Sequence, residues 1–265
     1  MLEHATTELQ TLLFEKQGAR GVITLNRPDR LNCINDRMID ELEYLLTRCN
    51  RDSGIRLVLL KAAGAKAFCS GIDVDCVRDK TALAARAIGR RLHEVFYLCR
   101  TLGKPILVEI NGLCLGAGLE LAISCDLIVA GDRSEFGLPN INVGIPAIVE
   151  AALLPQAIGI MNTRELCYTG WNWSAEKALA RGLVNQVVAE DELDAAVEKW
   201  AQRLETRSPM ALMTQKEIIH AWMTTDIEAA IDFSINTVAL NWMTADQKEG
   251  MGAFLQKRGA EFKGE

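Results

Sequence analysis

Lys104-Pro-Ile-Leu-Val-Glu-Ile-Asn-Gly-Leu-Cys-Leu-Gly-Ala-Gly-Leu-Glu120 is the stretch around which the rest of the chain is organised. Residues 106–110 are a short apolar run after a proline and read as a buried strand. Residues 111–118 form a glycine-rich turn, and residues 119–124 read as the start of a helix carrying Glu120. The small residues Gly116, Ala117 and Gly118 allow a ligand to approach the backbone closely. Free N–H groups at a helix start can hold an oxyanion. A strand, a turn that donates N–H groups and an acid one turn later can polarise a carbonyl and move a proton. The same residues also suit a purely structural turn followed by a solvated glutamate, and the stretch alone leaves both open.

Composition narrows the function classes. The 265 residues are 49% hydrophobic and 24% charged, ordinary globular material without an internal repeat. A net charge of −6 argues against a nucleic-acid or anionic-membrane binder. Eight cysteines without a CxxC pair, beside three histidines, argue against a zinc site or a disulfide framework and suit a reducing compartment. The N-terminus lacks the cationic-then-apolar layout of a signal peptide, because Glu3, Glu8 and Glu15 precede the first arginine, Arg20. No apolar run reaches the ~20 residues of a membrane span. The expectation is a cytoplasmic protein with neither a nucleic-acid nor a membrane partner.

Outward from the central stretch the chain alternates strands and helices. Residues 12–15 and 21–25 read as a hairpin, and residues 55–61 as a strand buried on both faces. Asp36 is the expected N-cap of a helix to Cys49. Residues 62–71 form a second small-residue turn that leads into Ile72 and Asp73. A helix to Leu102 follows, and residues 127–130 make another strand. Residues 132–143 read as a loop, and a helix is expected from Ala147, carrying Glu150. Ser174 caps a further helix, residues 183–188 are the last strand, and the chain is expected to be helical from Asp191 to its end. This divides it into a core, residues 1–195, and a helical C-terminal region, residues 196–265. That region carries Ile218, Ile219, Trp222, Ile227, Ile231, Phe233, Leu240 and Trp242, more apolar surface than an appendage needs, and implies an oligomer.

Taken together, Ala67-Phe-Cys-Ser-Gly-Ile-Asp73, Asn111-Gly with Gly116-Ala-Gly-Leu-Glu120, Cys125-Asp126, Phe136-Gly-Leu-Pro139 and Phe254-Leu-Gln-Lys-Arg258 resemble the enoyl-CoA hydratase/isomerase (crotonase) superfamily. The likeness runs from Asn26 to Phe262. It implies an α/β crotonase-like fold, a spiral of ββα units with a helical C-terminal region that builds homotrimers or dimers of trimers. It also implies a coenzyme A thioester as substrate, with no permanently bound cofactor and no metal. The family's oxyanion-hole amides match Ile72 and Ala117. Such donors favour a thioester enolate, and removal of one typically costs ~3 kcal/mol. Glu120 matches the first family glutamate. The second is absent, because Asn140 stands in its place, and an amide cannot exchange a proton at neutral pH. Glu150, ten residues on, is the expected replacement partner for Glu120; a favourable charge at a helix start is its other reading. For coenzyme A the family positions are Arg30, Leu31, Ser70, Gly71, Ile72, Phe254 and Lys257. Asp75 stands where a lysine is often found, which predicts weaker nucleotide binding. The expected activity is reversible hydration of a 2-enoyl-CoA. Decarboxylation or double-bond isomerisation of an acyl-CoA, and non-catalytic acyl-CoA binding, are the alternatives.

Overall fold

The computed structural model describes residues 8–265; the reading of Glu3 falls outside them. The chain opens with the antiparallel hairpin of β1 (Leu12–Gln17) and β2 (Arg20–Leu25). Helix α1 (Asp36–Arg51) is capped by Asn35, whose side chain accepts from the Met38 N–H. The cap therefore lies one residue before the expected Asp36, which instead puts a negative charge in the first turn, where the helix dipole favours it.

Three turns of a spiral follow. The first is β3 (Leu57–Ala62), β4 (Ala67–Cys69), the short α2 (Val74–Val77) and the long α3 (Ala82–Thr101). The second is β5 (Ile106–Ile110), β6 (Leu113–Leu115) and α4 (Ala117–Ile123). The third is β7 (Leu127–Gly131), β8 (Glu135–Gly137), two 3-10 turns at Pro139–Val143 and Glu150–Leu153, α5 (Leu154–Ile158) and α6 (Ile160–Thr169). A last half-turn holds β9 (Trp173–Ser174), α7 (Ala175–Ala180) and β10 (Gln186–Val188), and the chain then runs through α8 (Leu193–Glu205), α9 (Pro209–Thr224), α10 (Ile227–Asn241) and α11 (Ala245–Leu255). The first strand of each turn joins a six-stranded sheet, ordered β1-β2-β3-β5-β7-β10, and the second joins a four-stranded sheet, ordered β4-β6-β8-β9. This is the spiral of ββα units that the resemblance implies.

Burial explains why the large sheet was legible. Ile23, Val58, Leu60, Val108 and Ile110 face a core shared with α1 and α3. Val22, Leu57, Leu59, Leu107 and Val129 face the other way, under Leu193, Val197 and Ala201 of α8. A strand covered on both faces has no polar side, hence its continuous apolar run.

Two further expectations differ from the structure. No helix starts at Ala147: residues 145–149 are irregular, and Glu150 opens a 3-10 turn instead. The chain is also not helical to its end. Beyond Leu255 it turns back, and Asp246, buried, accepts from the N–H groups of Lys263 and Gly264. Among the described residues no helix is long and apolar enough to cross a membrane.

The small sheet positions the site. β4 and β6 are parallel neighbours, with Cys69 opposite Cys114. Each strand then runs out into a glycine, Gly71 and Gly116, so the two turns arrive side by side.

Candidate active site

Gly71 has φ +111 and Gly116 has φ +53, conformations that L side chains rarely adopt. Space is tight at Gly71 and excludes a side chain at Gly118. A Cβ on Gly71 would lie 3.3 Å from the Leu115 carbonyl oxygen and 3.6 Å from the Ala117 nitrogen. One on Gly118 would lie 2.4 Å from the Cys69 carbonyl oxygen. Glycine here is what lets the two backbones touch.

Two N–H groups next to that contact have no backbone acceptor among the described residues. Ile34 and Ile72 form an isolated parallel bridge through the bonds Ile34 N–H to Gly71 C=O (2.8 Å) and Asp73 N–H to Ile34 C=O (2.8 Å). Such a bridge uses the groups flanking Ile72 and leaves the N–H of Ile72 itself outside it. Ala117 is the first residue of α4, so its N–H has no intrahelical acceptor, and no side chain caps this helix. Ile72 and Ala117 are thus brought together across the Gly71–Gly116 contact.

Glu120 stands one turn into α4 and is 2% exposed. Its Oε2 accepts from the N–H groups of Val149 (3.1 Å) and Glu150 (2.8 Å). Burial pushes its carboxyl above the ordinary glutamate range, and the N–H groups of Glu150, Val149 and Ala151 oppose the rise.

The Oδ1 of Asn140 is buried without a hydrogen-bond donor among the described residues. It lies 3.3 Å from where a Cβ on Gly116 would be, so this acceptor faces the same turn that carries Ala117.

Glu150 is also 2% exposed, but its backbone, not its carboxylate, meets Glu120. The carboxylate turns to α3, where Oε1 is held by His93 Nδ1 (2.8 Å) and by Arg100 Nη2 (3.2 Å). His93 and Arg100 are contacts that sequence reasoning missed.

The loop before α1 approaches Gly71 from the other side. The Ser70 N–H donates to the Leu31 carbonyl at 3.0 Å, and Leu31 and Asn32 have φ near +50 (50° and 54°). Buried Asn32 holds this shape through the Arg27 N–H and the carbonyls of Ala63 and Ala67. Arg30 is not free: its Nη2 donates to Asp75 (2.5 Å) and Asp73 (3.1 Å). Phe254, 82% exposed, and Lys257 are on and just beyond α11, and no hydrogen bond or ion pair joins them to these loops among the described residues. A cavity of about 480 Å³ lies behind the site, between Ile123–Leu127, α5 and α9, and reaches Arg100 but not the glycine turns.

The profile of the enoyl-CoA hydratase/isomerase family matches residues 15–265. The chain belongs to this family. It is 33% identical over 255 residues to the short-chain-enoyl-CoA hydratase of Clostridium acetobutylicum, covering 96% of this chain and 98% of that one. It is 34% identical over 254 residues to the crotonyl-CoA hydratase of Syntrophomonas wolfei, with the same coverage of 96% and 98%. Among solved structures, an enoyl-CoA hydratase from Bacillus anthracis superposes with a TM-score of 0.92 at 29% identity, over 97% of this chain and 100% of that one. One from Geobacillus kaustophilus gives 0.92 at 31% identity, over 98% and 100%. As a family member the chain has the crotonase fold, and acyl-CoA thioesters are the substrate class of the family.

Proposed function

We propose that this chain catalyses the reversible addition of water to a 2-enoyl-CoA. The observation that supports the reading is the meeting of the Gly71 and Gly116 turns, with Ile72 and Ala117 next to the contact and Glu120 buried in the first turn of the helix that Ala117 opens. The two amides donate to the thioester oxygen and stabilise the negative charge it gains when a nucleophile adds at C3. Glu120, as carboxylate, takes one proton from a water held by the Asn140 Oδ1 while the water oxygen bonds to C3. It then returns that proton to C2 as the enolate collapses. Oxygen and hydrogen both come from one water, and one carboxyl handles both transfers, so they arrive on the same face of the double bond.

The test is to mix the protein with crotonyl-CoA and follow the loss of the conjugated thioester absorbance. Multiple turnovers are expected. Saturable binding of enoyl-CoA thioesters without turnover overturns the reading in favour of an acyl-CoA binder. Release of carbon dioxide from a malonyl-type CoA in place of hydration overturns it in favour of decarboxylation.

For the nucleotide end of the substrate, the reading assigns Arg30 and Leu31, the backbone of Ser70, Gly71 and Ile72, and, from the C-terminal region, Phe254 and Lys257. Asp75 competes with the substrate's phosphates for Arg30. Asp75→Ala is expected to lower KM for crotonyl-CoA about two- to fivefold with kcat unchanged, the scale of one exposed ion pair. Parallel steady-state measurements on both proteins check this, and the gain should shrink as salt is raised.

The reading extends to a homotrimer or a dimer of trimers. Trp222, Ile227, Ile235, Leu240, Trp242 and Met243 are all exposed on or just beyond α9 and α10 of the single chain, an apolar surface larger than a monomer ordinarily leaves in water. Light scattering should give three or six times the single-chain mass.

A further inference from the structure

We propose that Glu150 is a positioning residue for Glu120, anchored to α3 by His93 and Arg100. The inference rests on the reading of Glu120 as the acid–base group.

The two N–H groups that grip Glu120 belong to Val149 and Glu150, at the end of a segment with no secondary structure of its own. Val149 sits at φ −106, ψ −98, outside helix and strand, and no side chain caps the 3-10 turn that follows. Ile145 and Ile148 in the same segment are exposed, and only Ala147 and Val149 rest, half-buried, against the core. The Glu150 side chain adds a polar tie at the end of this segment. Its Oε1 meets His93 and Arg100, which lie seven residues apart on one face of α3. That helix is a firm platform, because Leu92, Val95, Phe96 and Cys99 on its other face are buried in the core. Tyr97 lies between the two anchors: its ring is 5.9 Å from that of His93, and the Arg100 guanidinium stands 5.2 Å from its centroid. Tyr97 also meets His220 of α9 edge-on at 5.8 Å. The line of contacts therefore runs from α9 and α3 through the Glu150 side chain to its own N–H, and from there to Glu120 Oε2.

Stability alone is a poor account of this arrangement. The Oε2 of Glu150 and the Nε of Arg100 are both buried without partners among the described residues. A buried pair left half-satisfied is weak as a stabilising device, and apolar residues of similar volume commonly do as well or better. A directed tie from the Glu150 carboxylate to α3 fixes where the neighbouring backbone donor stands. It matters for rate because a displacement of about 1 Å in a reacting group can cost on the order of 100-fold.

The test compares Glu150→Gln with Glu150→Ala on crotonyl-CoA, reading kcat and KM separately alongside melting temperature. Glutamine keeps an oxygen for Arg100 and leaves the backbone N–H in place, so kcat should stay within about threefold of wild type. Alanine releases the segment, and kcat should fall about 10- to 100-fold with KM within about twofold. Glu150→Ala leaves Arg100 buried without its carboxylate and can fail to fold. The double variant Glu150→Ala, Arg100→Met removes both charges, should fold, and should show the same fall in kcat. If Glu150→Gln loses as much kcat as Glu120→Gln, Glu150 carries a proton itself and the inference is overturned. An unchanged kcat in the folded alanine or double variant overturns it as well. If wild type does not hydrate enoyl-CoA at all, the proposed function fails first and this inference goes with it.

Discussion

Glu120→Gln is expected to reduce hydration of crotonyl-CoA by about 10²- to 10⁴-fold in kcat, the usual contribution of a positioned acid–base group. The amide keeps an oxygen for the Val149 and Glu150 N–H groups, so substrate binding and fold should persist while proton transfer is lost. The pH dependence gives a second readout. Burial raises the Glu120 carboxyl, and the active form on the forward path is the carboxylate, so wild-type kcat should fall on acidification with a midpoint above the ordinary glutamate value. Stability should move in the opposite sense. A group whose pKa is raised in the folded state contributes its full stability below the unfolded value and loses it as pH rises through the folded value. Glu120→Gln has no such loss. It should melt close to wild type in acid and above it near neutrality. A glutamine variant that keeps more than a tenth of wild-type kcat would remove Glu120 from the chemistry.

The elements that sequence reasoning found and those it missed differ in where their constraint lies. Leu57–Ala62 and Ile106–Ile110 were legible because burial on both faces writes itself into consecutive residues. The Gly71 and Gly116 turns were legible because the demand for glycine is local, a positive φ and a backbone contact at one position. The strands β4, β6 and β8 were read as turn or loop, since three residues are too few to show a period of two. The helix expected from Ala147 does not form at residues 147–149. In the structure they bend to aim two N–H groups at Glu120, so tertiary demand overrides propensity there. His93 and Arg100 gave no signal because their partner, Glu150, lies 57 and 50 residues away in sequence. Their seven-residue spacing marks a shared helix face but not what that face meets.

The amide assigned to the oxyanion can be removed without touching a side chain. Ala117→Pro deletes one N–H at the first position of α4, where proline is tolerated because that N–H has no acceptor within the helix. Its fixed φ of about −65° suits a helical first residue. The residue before it is Gly116 at φ +53, ψ −126, outside the helical region that proline disfavours in its predecessor. The fold should therefore survive, and circular dichroism and melting temperature should stay near wild type. The rate should not: loss of one preorganised donor to the developing enolate oxygen is worth about 10²- to 10³-fold in kcat. Because the donor acts most strongly when the oxygen is charged, KM for crotonyl-CoA should change far less than kcat. Ala117→Gly, which keeps the N–H and only removes a methyl, is the control and should stay within about tenfold of wild type, any loss reflecting a looser first turn. Equal losses in the proline and glycine variants would place the effect in the shape of the turn and take the Ala117 amide out of the mechanism.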